Sequence, residues 1–384
     1  MVRVEIRGEM LRWARERASM TTDSLLKRFP KLEQWESDET KPTLKQVEDF
    51  ARATHAPVGF LFLQQPPAEP TPIPDFRTMG GTEIRRPSPN LLDMIYACQQ
   101  RQEWFRDYAR AARLNRLEFV NSATLNDPPT AIAVRIRDTL GFTDAKRAQC
   151  ATWTEALRVF VRLADASGVL VMVSGIVMNN VHRALDPMEF RGFALADDVA
   201  PVVFINGADT KSAQMFTLAH ELAHVWLGQS ALSDTTLASR DQNAVETWCN
   251  RVAAELLAPI EAVRTLLQGA GNEELDATVA RLARAFKVST LVVLQRMRDA
   301  DYLSWNEFDA AYQHELARLA ALPKGASGGD FYATAAIRYS RRFAQALVES
   351  TMEGLTLYRD AFRLLGISKT ETFNELGRSL ALPA

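Results

Sequence analysis

The sequence predicts a mostly α-helical chain with one small β-sheet, an α+β fold. Three observations carry this. Apolar residues recur at helical spacing over most of the 384 residues. β-branched apolar runs are confined to a short stretch, about residues 169–205. A seam at residues 64–90, QQPPAEPTPIPDFRTMGGTEIRRPSPN, holds seven prolines and the Gly80-Gly81 pair, so no helix survives there. The expected order is a helical unit at 1–63, a Pro-rich linker or extended wrapping segment at 64–90, a core at 91–300 centred on about 168–260, and a C-terminal helical domain at 301–384.

Composition bounds the rest. Apolar residues make up 47% and charged residues 24%, which excludes a mostly disordered or collagen-like chain. Lys and Arg number 45 against 47 Asp and Glu, a net charge of −2; this argues against a strongly basic nucleic-acid binder. Cys98, Cys150 and Cys249 show no paired spacing and suit a reducing compartment. No run of eighteen apolar residues occurs, and the start MVRVEIRGEMLRWARER lacks the apolar core of a secretory signal. The expectation is a soluble, cytoplasmic protein with no membrane contact.

The N-terminal unit reads as helices at about 8–18, 22–29, 30–37 and 43–54, with Thr43 as an N-cap and Leu11, Trp13, Phe29, Trp35 and Phe50 as core. After the seam come helices at about 90–117, 130–140 and 151–167. Strands are expected at 169–173, 190–195 and 202–205. From Ser212 onward the reading is helical: about 212–228, 242–257, 260–269, 273–286, 289–299, 305–321, 330–352, 354–365 and 369–378. Residues 278–303 have a helix-turn-helix cadence for which packing is the expected role. The KGASGGD stretch at 324–330 is expected as a loop, and Arg338, Arg341 and Arg342 cluster beside Tyr339 and Phe343, by default a solvated helix face and alternatively a partner or nucleic-acid surface.

The chemistry concentrates in MFTLAHELAHVWLG. His220-Glu221-Leu222-Ala223-His224 matches H-E-x-x-H. On a helix, positions i and i+4 share a face, so both imidazoles reach one zinc ion. Glu221 then stands beside the metal, where it can take a proton from water and return it to a leaving amine. Such a site needs a third protein ligand. Glu246 in AVETWCNRVAAELLAP is the candidate, 22 residues after His224 and on the next helix. Glu255 and the soft ligand Cys249 compete for the role. Asn250, one turn from Glu246, is a candidate to orient a ligand. His55, His182 and His314 stand alone, and His182 is kept only as a group that could polarise a carbonyl.

TLAHELAHVWLG followed by ETWCNRVAAELLAP resembles the ImmA/IrrE zinc metallopeptidases over about residues 168–300. The resemblance implies a zincin-like core, zinc held by His220, His224 and Glu246, and Glu221 as general base. It implies a regulatory metalloendopeptidase that cuts a protein of repressor type, coupled to transcriptional or stress control in bacteria. Gln214 and Met215 stand where the family often carries an arginine. The N-terminal unit is similar to the Xre-type helix-turn-helix through LRWARERA and the W-E-x-x-x-x-x-P-T pattern of Trp35–Thr43. Its second turn is short, and Lys31, Glu33, Gln34, Glu36, Asp38 and Glu39 read as exposed. Residues 1–78 balance 12 basic against 12 acidic residues, so DNA binding by this unit competes with docking or dimerisation of a degenerate module, and a homodimer is compatible with the reading.

A second functional class stays open. Chains of this layout also resemble antitoxins of toxin–antitoxin pairs that bind a PIN-like nuclease toxin, with the peptidase core as a binding platform and autorepressor. The partner is then a toxin rather than a repressor substrate.

Overall fold

The computed structural model describes residues 3–76, 86–233, 243–269, 273–321 and 337–381. Gly80-Gly81, the 324–330 stretch and the first residues of the helices expected from 242 and 330 lie outside them. The described residues are mostly helical with one four-stranded sheet. They form two compact units: 3–72 with 86–96, and 73–76 with 97–381. The seam is thereby divided. Residues 64–72 belong to the first unit and 73–76 to the second, and residues 301–321 and 337–381 share a unit with the sheet.

The first unit is built on α1 (Gly8–Arg17), α2 (Thr22–Leu26), α3 (Leu32–Glu36) and α4 (Leu44–Thr54), followed by a 3-10 turn at Val58–Phe62. Thr21 caps α2, and Thr43 and Gln46 form a capping box on α4. Met10, Leu11, Trp13, Phe29, Trp35 and Phe50 make its core. A Cβ on Gly8 would stand 2.3 Å from the Glu36 carbonyl oxygen, so only glycine lets α1 meet the end of α3. Glu36, expected on the surface, is buried instead. The reason is Arg15, whose guanidinium donates to both carboxylate oxygens at 2.7 and 3.0 Å. The seam docks here too, with Arg17 donating to Glu69 (2.8 Å) and Arg7 to the Gln64 carbonyl (2.8 Å).

The second unit surrounds the sheet. Its strands are β1 (Leu170–Ser174), β2 (Gly192–Leu195), β3 (Val202–Asn206) and β4 (Ala231–Leu232), in the order β1-β3-β2-β4. β1 runs parallel to β3, and β2 runs antiparallel to both β3 and β4. All strand residues but Val173 are buried, as expected for continuous apolar runs. Ahead of the sheet in the chain lie α5 (Pro89–Ala111), whose residues up to 96 are counted with the first unit, α6 (Pro129–Leu140), α7 (Asp144–Ala148) and α8 (Trp153–Ala166); then come α9 (Lys211–Leu227) and α10 (Ala244–Leu257). α11 (Ile260–Gln268), α12 (Leu275–Phe286), α13 (Thr290–Asp299) and α14 (Trp305–Ala320) follow, with the tail helices Arg341–Met352, Tyr358–Leu365 and Thr370–Ala381.

Some elements differ from expectation. α5 ends at Ala111 rather than 117, because Arg113 turns left-handed at φ +54° and Leu117 N–H then donates to the Asp198 carbonyl. Strand β4 and the short α7 are additional. Residues 278–303 pack as expected, with Val279, Leu282, Phe286, Val292 and Val293 in the large core. The tail arginines are not a bare solvated row. Arg338 bonds Asn179, Arg341 bonds the Leu380 carbonyl, and Arg342 lies over the Phe105 ring at 5.6 Å.

Candidate metal centre

α9 places the two histidines. Thr210 accepts from Ala213 N–H to start the helix, and Gly228 at φ +68° ends it. Between them the helix is flanked by α8, α10, β2 and β3, which is why Gln214–Leu227 are buried throughout. The Gln214 side-chain amide donates to the Gly207 and Asp209 carbonyls and ties the β3–α9 turn. α10 starts at the Asn243 cap and stops at Pro259, with Glu246 in its first turn.

The two helices bring three ligand atoms together. His220 Nε2 and His224 Nε2 are 3.1 Å apart. Glu246 stands 3.2 Å from the first and 3.1 Å from the second. Three corners of a tetrahedron around a zinc ion are about 3.3 Å apart at ordinary zinc–nitrogen and zinc–oxygen lengths. This nitrogen, nitrogen and carboxylate set therefore fits one zinc ion. It is the one group of three or more His, Cys, Asp or Glu among the described residues that could hold a metal. All three residues are at most 1% exposed.

Electrostatics agree with a cation-binding set. Burial opposes ionisation of Glu246, but the two imidazoles outweigh it and hold the carboxyl down at about 2. Burial likewise opposes protonation of His220; Glu246 outweighs it and raises that imidazole. His224 is lowered, chiefly by burial. Asn250 Oδ1 lies 2.9 Å from His220 Nδ1, a contact that leaves Nε2 to face the set.

Glu221 is fully buried beside the set. Burial, reinforced by Glu246, pushes its carboxyl up to about 8 against the opposing effects of His220 and Ser233. The Ser233 hydroxyl donates to its Oε2 at 3.1 Å. Its Oε1 has no hydrogen-bond partner among the described residues, an acceptor a water could use. A Cβ on Gly192 would meet Thr217 at 2.5 Å and Glu221 Oε1 at 3.3 Å, so glycine lets β2 pass this close to α9.

The competing candidates lie elsewhere. Glu255 is engaged by Arg296 and faces Ile260 N–H. Cys249 is a buried thiol, pushed well up by burial and outside the ligand set. His182 is exposed in a depression with Asn179, Asn180 and Gly366. Sequence reasoning missed Ser233, Gly192 and Phe76, whose ring stacks on His224 at 6.2 Å. Nothing in their local sequence marks them, because each is recruited by strand pairing.

Residues 165–298 match the IrrE N-terminal-like domain, and residues 339–379 match a domain of unknown function. The radiation response metalloprotease IrrE of Deinococcus deserti is 36% identical over 103 residues, 26% of this chain and 36% of that protein. Its counterpart in Deinococcus radiodurans is 32% identical over 103 residues, 26% of this chain and 31% of that protein. The chain thus spans about a third of the length of the curated relatives it matches. These matches support the ImmA/IrrE family for the region that carries the ligand set. No solved structure matches.

Proposed function

We propose that this chain is a zinc-dependent regulatory metalloendopeptidase whose substrate is a protein of repressor type. The observation that carries the reading is the buried triangle of His220, His224 and Glu246 with the Glu221 carboxylate beside it. Bound zinc supplies Lewis acidity at this point. Its charge would also favour the ionised form of the buried Glu221 carboxyl, which would then take the proton of the attacking water on Oε1 and deliver it to the leaving amine. Ser233 holds Oε2 and so fixes which oxygen faces the water. Asn250 orients the His220 ring.

The test is Glu221→Gln. It is expected to retain about one zinc per chain by elemental analysis, whereas His224→Ala and Glu246→Ala lose it. Against a repressor-type protein it is expected to cut at least about a hundredfold more slowly. Cleavage at the unaltered rate would defeat the assignment.

A second reading is an antitoxin whose core is a binding platform for a nuclease toxin. It is favoured by exposed Met352, Leu355, Leu357 and Tyr358 within the tail match. A neighbouring reading frame for a small acidic-site nuclease, whose product co-purifies with this chain, would support it. In either reading the N-terminal unit serves DNA binding or protein docking.

A further inference from the structure

Ile73–Phe76 lies on the outer edge of the sheet beside the ligand set. One side of β4 pairs with β2 through Phe193–Leu232 and Ala194–Ala231. On the other side Asp75 bridges Leu232 in parallel, and Leu232 N–H donates to the Pro74 carbonyl at 2.9 Å. Ile73 is buried. Phe76 packs against the large core and stacks on His224 with the ring planes 26° apart. The residue after Leu232 is Ser233, which holds Glu221.

This position has a physical meaning. An unpaired strand edge is a template for an added strand. Extended peptides bind such edges through main-chain bonds and through pockets for alternate side chains. A polypeptide brought to Glu221 along β4 would need the same Leu232 N–H and the same face of His224. The chain's own segment already uses both. Its grip is shallow by composition, because Pro72 and Pro74 have no N–H to give to a ladder. Only Pro70, Thr71 and Pro72 separate it from Glu69, which Arg17 clamps within the first unit.

We propose that Ile73–Phe76 is a resident strap, an internal extended segment that competes with a polypeptide for the β4 edge and must leave before a substrate is cut. What it competes with rests on the peptidase reading; its docking on β4 does not.

The experiment uses the full chain and a labelled peptide of residues 70–76, Pro-Thr-Pro-Ile-Pro-Asp-Phe. Peptide binding by anisotropy is compared between the unaltered protein and the double variant Ile73→Ser, Phe76→Ser. An occupied edge lowers apparent affinity by the fraction that is free, so the double variant is expected to bind about tenfold tighter or more. Phe76→Tyr, which keeps the stacking ring, should behave as the unaltered chain. In the unaltered chain the Leu232 amide should exchange with deuterium far more slowly than an open amide. Equal peptide affinity in the two proteins, including none in either, overturns the strap; so does a freely exchanging Leu232 amide. Zinc content is read on the same samples. Absence of zinc from all of them defeats the peptidase reading, and the peptide and exchange results still decide the strap.

Discussion

His220 shows how one contact can orient a ring. The Asn250 oxygen, an acceptor, lies 2.9 Å from Nδ1 and so favours a proton there. Nε2 faces His224 and Glu246. Asn250→Ala removes this partner without touching a ligand atom. It is expected to weaken zinc binding by about 10–100-fold in a chelator competition assay, with the ligand count unchanged. Zinc affinity equal to that of the unaltered chain would mean that α9 packing alone orients the ring. Glu246 and Glu255 make the contrasting case. Both are buried acids on α10, yet Arg296 engages Glu255 and two histidines engage Glu246. Sequence places both on one helix, and only their neighbours separate the roles.

At the scale of elements, a buried carboxylate joins α8 to the tail. Asp165 at the end of α8 accepts from the Ser340 hydroxyl and from Arg342 N–H at 2.9 Å, at the start of helix Arg341–Met352. Burial nevertheless wins over these bonds and raises its carboxyl from 3.8 to about 6. The folded chain therefore binds this proton more tightly than the unfolded one. Its contribution to stability is full below pH 3.8 and is lost as pH rises through about 6. The swing is on the order of 3 kcal/mol. Denaturant titrations from pH 4 to pH 7 are expected to show this fall in the unaltered chain and not in Asp165→Asn. Parallel pH profiles would contradict the assignment. The same joint explains why the tail arginines read as a solvated face from sequence: their partners are Asn179, Leu380 and Phe105, far away in the chain.

At the scale of the molecule, each of the two units has apolar core residues of its own among the described residues. One is built from Met10, Trp13, Phe29, Trp35 and Phe50, the other from Phe160, Leu218, Trp226, Val252 and their neighbours. Two cores predict two unfolding transitions by calorimetry. Zinc at about a hundred times its dissociation constant should stabilise the larger unit by about 2.7 kcal/mol and leave the other transition in place. A single transition that moves as a whole with zinc would show that the units unfold together. Among the described residues no helix is long and apolar enough to cross a membrane.

Local pattern alone determined much of this protein. The 3.6-residue spacing of apolar side chains set nearly every helix, because a helix buries a stripe that its own sequence must supply. The i and i+4 spacing of His220 and His224 put two ligand atoms on one face, because helix geometry is fixed by the backbone. The β-branched runs set three of the four strands. Tertiary structure decided the rest. It brought Glu246, and not Glu255 or Cys249, to the two histidines, since such a grouping is a distance between helices. It buried Glu36 against Arg15, since a surface acid and a paired acid read alike in sequence. It brought Ser233 to Glu221 and Phe76 to His224 through β4, a two-residue strand too short to carry a period. A proline-rich seam reads as a linker because proline forbids a helix; whether it docks depends on an open strand edge more than 150 residues later in the chain.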